Sequence, residues 1–312
     1  MSDAFRADVL AGLAARPRAI PARWFYDRAG SELFEAITRL PEYYPTRAET
    51  AVLTTFGDEL AAQTGVGRAV IEFGSGSSTK TPPVLRAVGA SAYVPIDISG
   101  AFLREAAAGI ARAFPDLPVL PVEADFTRRF PLPEAVAGSP KLGFFPGSTI
   151  GNLTPAAAVD LLRGMCDALG TGAQLLIGMD RIKRRDVLLA AYDDAAGVTA
   201  AFNLNLLARI NRELNGTVPL DGFTHQARWN DGAGRIEMHL VAARDLSFTV
   251  AGEPFAMEEG DTIHTENSHK YGPRDARLLL QAGGWTPVHE WADPDGLFAV
   301  FLAEARGVEG AP

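Results

Sequence analysis

Residues 69–80 read AVIEFGSGSSTK, and this stretch decides the fold. The first half, AVIEFG (69–74), is an apolar run interrupted only by Glu72, the length of a strand buried on both faces. The second half, Gly74-Ser75-Gly76-Ser77-Ser78-Thr79-Lys80, puts glycines where a strand gives way to a helix. There the backbone turns tightly and lets a ligand approach at the carboxyl edge of the sheet. Four more apolar runs follow: AYVPID (92–97), VLPVEAD (119–125), KLGFFPG (141–147) and AQLLIGMD (173–180). Between them, AFLREAAAGIARAF (101–114) and PAAAVDLLRGMCDAL (155–169) have apolar residues at helical spacing. This alternation predicts an α/β fold with a parallel sheet covered on both faces.

Outward from that core the texture changes. The first 46 residues hold a helical opening and an aromatic segment that begins WFYDRAGSELFEAITRLPEYYP. Residues 183–213 read as one long helix or two short ones, ended by Gly216, Pro219, Asp221 and Gly222. HQARWN, RIEMHLVAAR and LSFTVAG then look like antiparallel strands with Gly/Asp turns such as Asn230-Asp231-Gly232. The tail reads as a helix (ARLLLQAGG) and two strands (TPVHEWAD, LFAVFLAEA) that finish the sheet as a reversed hairpin. The expected organisation is a core of residues 47–182 plus 271–312, and a second domain of residues 1–46 plus 183–270.

Composition narrows the function. The 312 residues carry 29 Lys+Arg against 38 Asp+Glu, a net charge of -9, which argues against holding nucleic acid by a basic face. The single cysteine, Cys166, excludes an intrachain disulfide framework and an all-cysteine metal cluster. The five histidines include no helical i, i+4 pair beside a glutamate, so no metal site is expected. The opening residues, with Asp3 and Asp8, do not read as a secretion signal, and no run approaches the ~18 apolar residues of a membrane span. A cytoplasmic protein with small-molecule partners is expected.

The glycine loop is followed by acids at two more strand ends. Asp97 suits the two hydroxyls of a ribose, and Asp125 suits an adenine amino group with Phe126 as its flat apolar neighbour. The nicotinamide fingerprint wants a third glycine at position 79, where this chain has Thr79. Glycine loop, acid and acid resemble S-adenosylmethionine-dependent methyltransferases; the bland alternative is an ordinary turn with the acids as helix caps. The fourth run leads into PGSTIGNLTP (146–155), where Asn152 offers a donor and an acceptor to an amino acid's ammonium and carboxylate. Asn152 also suits the cap of the helix beginning near Pro155.

WFYDRAGSELFEAITRLPEYYPTRAE, EFGSGSSTKT, PGSTIGNLTP, AYDDAAGVTAAFNLNLLARINREL, RIEMHL and TENSHKY, in this order, closely resemble the histidine-specific Nα-methyltransferases of ergothioneine biosynthesis. The resemblance spans residues 18 to 303. It implies a Rossmann-like class I methyltransferase sheet with an inserted α+β substrate-binding domain. It also implies three successive methyl transfers from S-adenosylmethionine to the α-amine of L-histidine, giving hercynine. By the same resemblance Gly74, Lys80, Asp97, Asp125 and Phe126 match cofactor contacts. Asn152 and Tyr192 match residues that hold the amino and carboxylate groups, while Tyr43, Glu266 and Ser268 match those that read the imidazole. Tyr26 matches an aromatic close to the reacting amine, and Met238 a pocket wall.

The chemistry of these residues is sensible on its own. An acceptor at Glu266 and an adaptable hydroxyl at Ser268 read both nitrogens of an imidazole. An indole has one donor and no ring acceptor, so a tryptophan methyltransferase, the alternative, uses that pair poorly. Tyr26, Tyr43 and Tyr192 can surround a quaternary ammonium, worth about 0.5–2 kcal/mol. Read locally, Glu266 is equally a surface acid, Tyr43 and Tyr44 are expected to pack between the domains, and Met238 belongs to the core. Asn267 and Pro146 are positions of departure that remove no matched residue. No domain of the sulfoxide-synthase type is present in the sequence, so methylation alone is expected. The substrate ammonium must lose its proton before each transfer; desolvation lowers its pKa, and the expected route is through water by way of Tyr26.

Overall fold

In a computed structural model, which describes residues 3–305, the elements run in the order α1 (Asp3–Ala14), β1 (Arg18–Ala19), α2 (Arg28–Ile37), α3 (Tyr44–Thr55), α4 (Gly57–Thr64), β2 (Ala69–Phe73), α5 (Thr81–Ala87), β3 (Ala92–Asp97), α6 (Gly100–Ala113), β4 (Val122–Glu123), β5 (Lys141–Phe145), α7 (Pro155–Leu169), β6 (Gln174–Asp180), α8 (Arg185–Tyr192), α9 (Val198–Leu214), β7 (Phe223–Asn230), β8 (Arg235–Ala242), β9 (Leu246–Val250), β10 (Glu253–Met257), β11 (Thr262–His269), α10 (Pro273–Ala282), β12 (Trp285–Ala292) and β13 (Phe298–Ala305). They form two compact units. One contains residues up to Tyr44 with Lys183–His269, the other Pro45–Ile182 with the chain from Lys270 onward. The expected domain ends at residues 1–2 and 306–312 lie outside the described residues.

The Pro45–Ile182 unit is built on a seven-stranded sheet of order β12-β13-β6-β5-β2-β3-β4. β2 pairs in parallel with β3 and β5, β3 with β4, and β5 with β6; β13 runs antiparallel to β6, and β12 to β13. The apolar runs are continuous because both faces are covered. Ile71, Phe73, Val94, Ile96, Ile177 and Phe301 pack into one core, and Val70, Leu142, Phe144, Leu176, Phe298 and Val300 into the other. The third expected strand, 119–125, is the exception. It reduces to Val122–Glu123 and an isolated bridge from Val119 to Tyr93, because Pro121 has no amide to donate at the sheet edge. Asp125 therefore stands in a loop past the strand.

The other unit carries a four-stranded sheet of order β1-β11-β8-β7 and a separate two-stranded one of β10-β9. The helical stretch after residue 183 divides into α8 and α9. Asp194 makes the break, accepting the amides of Val198 (3.0 Å) and Thr199 (2.7 Å), while Gly197 has a φ of +72°. LSFTVAG pairs with β10, and TENSH lies in β11, a strand its polar composition conceals.

On β8, Ile236, Met238, Leu240 and Ala242 alternate as buried residues on one face, against which α8 and α9 pack. The opposite face holds a polar cluster. Glu237 accepts from Asn230 Nδ2 (2.8 Å) and twice from Arg235, and its second oxygen lies 3.1 Å from His239 Nε2. The His239 and His264 rings stack at 4.8 Å and 16°. Glu237, His239 and His264 thus bring three side chains of metal-ligand type together across paired strands, a grouping invisible to a search for helical spacing. Their ligand atoms lie within 4.8 Å of one another, with Glu237 ion-paired to Arg235.

These groups titrate in one direction. Burial pushes His239 down to about 4, against the upward pull of Glu237, and burial also lowers His264. Burial raises Glu237, but hydrogen bonds from Arg235, Asn230 and His239 outweigh it and bring it to about 2. A depressed histidine favours the folded state above its unfolded pKa of about 6.5 and loses that contribution as pH falls toward its folded value. The Glu237 contribution follows only below about 4.5. The melting temperature should therefore fall between pH 6.5 and 4, and His239→Gln should flatten that slope. Thermal denaturation across the range checks it; an unchanged slope contradicts the assignment.

Candidate active site

At the carboxyl end of β2 the backbone turns at Gly74, φ +72°, and the amides of Gly74 and Ser75 both donate to the Ile96 carbonyl (2.9 and 3.1 Å). A Cβ on Gly74 would stand 3.2 Å from the Phe126 ring, so the glycine and the aromatic are fitted to each other. Gly76 N donates to Asp97 Oδ2 at 3.0 Å, and Ser99 N to Asp97 Oδ1 at 2.9 Å. The loop therefore fixes the half-buried Asp97 carboxylate while each oxygen keeps a lone pair for a further donor. Asp125 Oδ1 accepts from Thr127 N (3.0 Å) and Thr127 Oγ1 (2.5 Å), in a turn that sets Phe126 against Phe145 at 5.6 Å.

This edge fits a nucleoside with polar and apolar parts. Ser75 Oγ is buried and has no hydrogen-bond partner among the described residues. Ile98, directly after Asp97, is 40% exposed, an apolar surface that the sequence reading passed over.

Lys80, at the end of the glycine loop, is ion-paired within the protein. Its Nζ lies 2.6 Å from Glu49 Oε2, an ion pair with Glu49 fully buried and Lys80 15% exposed. Glu49 also accepts from Gly147 N at 2.8 and 3.1 Å. A Cβ on Gly178 of β6 would fall 2.1 Å from Glu49 Oε1, so only glycine leaves room for this carboxylate. Glu49, on α3, thereby ties the glycine loop to the segment leaving β5. The sequence reading missed it. It lies at a buried position of α3, beside Ala48 and Val52. Nearby, burial pushes Glu72 up to about 7 although Tyr93 and Thr81 donate to it.

The segment leaving β5 turns at Gly147 (φ +78°) and Ser148 (φ +57°) into a 3-10 turn over Thr149–Asn152. Ser148, a left-handed non-glycine, is held because its Oγ accepts from Asp180 N at 2.9 Å. Asp180 is itself paired with buried Lys270 at 2.7 Å. Thr154, not Asn152, caps α7, accepting from Ala157 N at 3.3 Å. The half-buried Asn152 amide makes no hydrogen bond to another described residue, so its donor and acceptor stay available.

Apart from Asn152, the residues matched to substrate recognition fall in the other unit. Tyr192 OH and Ser268 Oγ are 2.6 Å apart and both buried. The Tyr192 ring meets Tyr43 at 6.2 Å, Tyr43 meets Phe34 at 6.2 Å, and Phe34 meets Tyr26 at 5.7 Å, a continuous aromatic chain. Glu266 pairs across strands with Met238 and is half-buried, not a fully solvated acid. Met238 is 1% exposed and belongs to the core as well. Sequence reasoning missed His225, whose Nε2 lies 2.8 Å from the Tyr192 carbonyl oxygen. Glu49 and His225 have no local signature because their partners are distant in sequence.

The chain is similar to several known proteins. A solved S-adenosylmethionine-dependent methyltransferase from Clostridium acetobutylicum superposes with a TM-score of 0.51 at 11% identity, over 88% of this chain and 99% of its own, which establishes the class I fold. A histidine N-alpha-methyltransferase of Mycolicibacterium smegmatis is 42% identical over 97% of this chain and 95% of its own. One from Mycobacterium tuberculosis is 40% identical over 96% and 94%. A family profile described as histidine-specific methyltransferase, SAM-dependent, matches residues 5–305. Glycine loop, strand-end acids and aromatic chain thus stand in a chain that belongs to the S-adenosylmethionine-dependent, histidine-specific methyltransferase family.

Proposed function

We propose that this protein transfers three methyl groups in succession from S-adenosylmethionine to the α-amine of L-histidine, giving hercynine for ergothioneine biosynthesis. The observation that carries the reading is the grouping of Tyr192, Ser268, Glu266 and Met238 in one unit of a chain from this family. Among the described residues no helix is long and apolar enough to cross a membrane. Work on free amino acid in the cytoplasm is part of the proposal, in keeping with the free thiol of Cys166.

S-adenosylmethionine, when bound, supplies a methyl group on a sulfonium that leaves by in-line displacement. Asp97 would accept from the ribose hydroxyls and Asp125 from the adenine amine, with Phe126 and Ile98 as apolar contacts. Glu49 neutralises Lys80 and fixes both loops, so that the glycine turn and the Asn152 turn hold their shapes. Asn152 and Tyr192 would orient the amino acid's ammonium and carboxylate, while Glu266 and Ser268 would take the imidazole nitrogens. Catalysis is then largely positioning and exclusion of water. A site built for a ring nitrogen rejects an amino acid lacking it, because its polar groups would be left unpaired.

With S-adenosylmethionine and a mixture of amino acids, the protein should yield histidine heavier by one, two and three methyl groups. Mass spectrometry reads this, and methylation of tryptophan with histidine untouched would refute the assignment. Glu266→Ala should raise KM for histidine by about 10–100-fold, the size of a lost hydrogen bond to a charged group, with KM for the cofactor unchanged. Asp97→Ala should do the reverse, and steady-state kinetics with each substrate varied distinguishes them. Tyr26→Phe should slow transfer and shift its pH profile; unchanged rates and profiles for all three methylations would remove that hydroxyl from proton transfer.

A further inference from the structure

β11 does not alternate evenly. Before Thr265, Ile263 pairs with Leu240 and His264 with His239; after it, Glu266 pairs with Met238 and Ser268 with Ile236. Two residues of β11 are thus taken up against one step of β8, a β-bulge at Thr265. Side chains alternate with a period of two, so one extra residue transfers everything beyond it to the opposite face. Without the bulge, Glu266 would pair with Glu237 on the face of the polar cluster. With it, Glu266 and Ser268 share the face of Met238 and Ile236, and Ser268 reaches Tyr192.

A buried amide holds the bulge. Thr265 Oγ1 donates to Asn203 Oδ1 (2.8 Å), with the Met238 carbonyl oxygen 3.0 Å away as a second acceptor. Asn203 Nδ2 lies 3.2 Å from the His239 carbonyl oxygen, which only accepts, so the orientation of the amide is determined. The same nitrogen donates to His225 Nδ1 at 2.8 Å, which leaves the ring proton on Nε2 to donate to the Tyr192 carbonyl oxygen. Asn203 is fully buried, Thr265 is 2% exposed and the His225 side chain 1%. One side chain of α9 therefore secures the bulge and, through His225, the backbone of Tyr192.

We propose that Asn203 and Thr265 are positioning residues for imidazole recognition: they fix the face on which Glu266 and Ser268 stand. The inference rests on the histidine reading above. Thr265→Val keeps the shape, removes the donor and leaves Asn203 Oδ1 buried and unpaired. It should raise KM for histidine by about tenfold or more, with kcat and the cofactor KM changed by less than about twofold. The kcat/KM preference for histidine over phenylalanine, which has no ring nitrogen, should fall by a similar factor. Thr265→Ser restores the hydroxyl and should restore both. Should Thr265→Val fail to fold, Asn203→Asp, which cannot donate to His225, should show the same loss of preference.

The outcomes separate cleanly. If the unmodified protein does not methylate histidine, the functional reading falls and this inference with it. If it does, the positioning role alone is overturned by variants that keep the wild-type KM and preference, that lose activity equally on both amino acids, or that Thr265→Ser does not rescue.

Discussion

The face proposed to read the substrate depends on a one-residue irregularity in β11. A regular strand over Thr262–His269 would present Glu266 and Ser268 to the polar cluster, and Asn267 to the helices. The bulge reverses that assignment at the place where a carboxylate and a hydroxyl are needed among apolar neighbours. An unpaired buried threonine would be costly, and its hydrogen bonds to Asn203 and the Met238 carbonyl offset the cost. The same fully satisfied network reaches Tyr192 through His225, so recognition elements from β11 and α8 share one support.

The parallel-sheet unit solves a parallel problem with a buried charge. Glu49 is wholly removed from water and is stabilised by Lys80, by the Gly147 amide and by the space that Gly178 leaves. That arrangement fixes two loops at the carboxyl edge of the sheet, where class I methyltransferases hold their cofactor. Removing one partner of such a pair is expected to disturb both loops together, since the remaining charge would be uncompensated. In each unit a buried polar group on a helix sets the shape of a segment that carries residues proposed for recognition.

The sequence disclosed the parallel sheet because strands covered on both faces are apolar throughout, as in AVIEFG and AQLLIGMD. It disclosed β13, LFAVFLAEA, for the same reason. It overstated the third strand, since Pro121 interrupts pairing there, and it did not mark β11, whose polar residues on both faces imitate a loop. The glycine loop, Asp97 and Asn152 were readable locally from strand-end position. Tyr43, Tyr192, Glu266 and Ser268 were readable only through resemblance to a family, because Tyr192 and Ser268 are 76 residues apart and meet only in the fold. Asn203, His225 and Glu49 were silent: a buried polar residue on a helix looks in sequence like a solvated one.

The account turns on where Glu266 and Ser268 stand relative to the substrate ring. A crystal structure with L-histidine and S-adenosylhomocysteine is the most direct measurement. It should show the Glu266 carboxylate and the Ser268 hydroxyl within about 3 Å of the two imidazole nitrogens, with the bulge at Thr265 retained. An imidazole bound elsewhere, or a β11 that pairs regularly through residue 265, would contradict it.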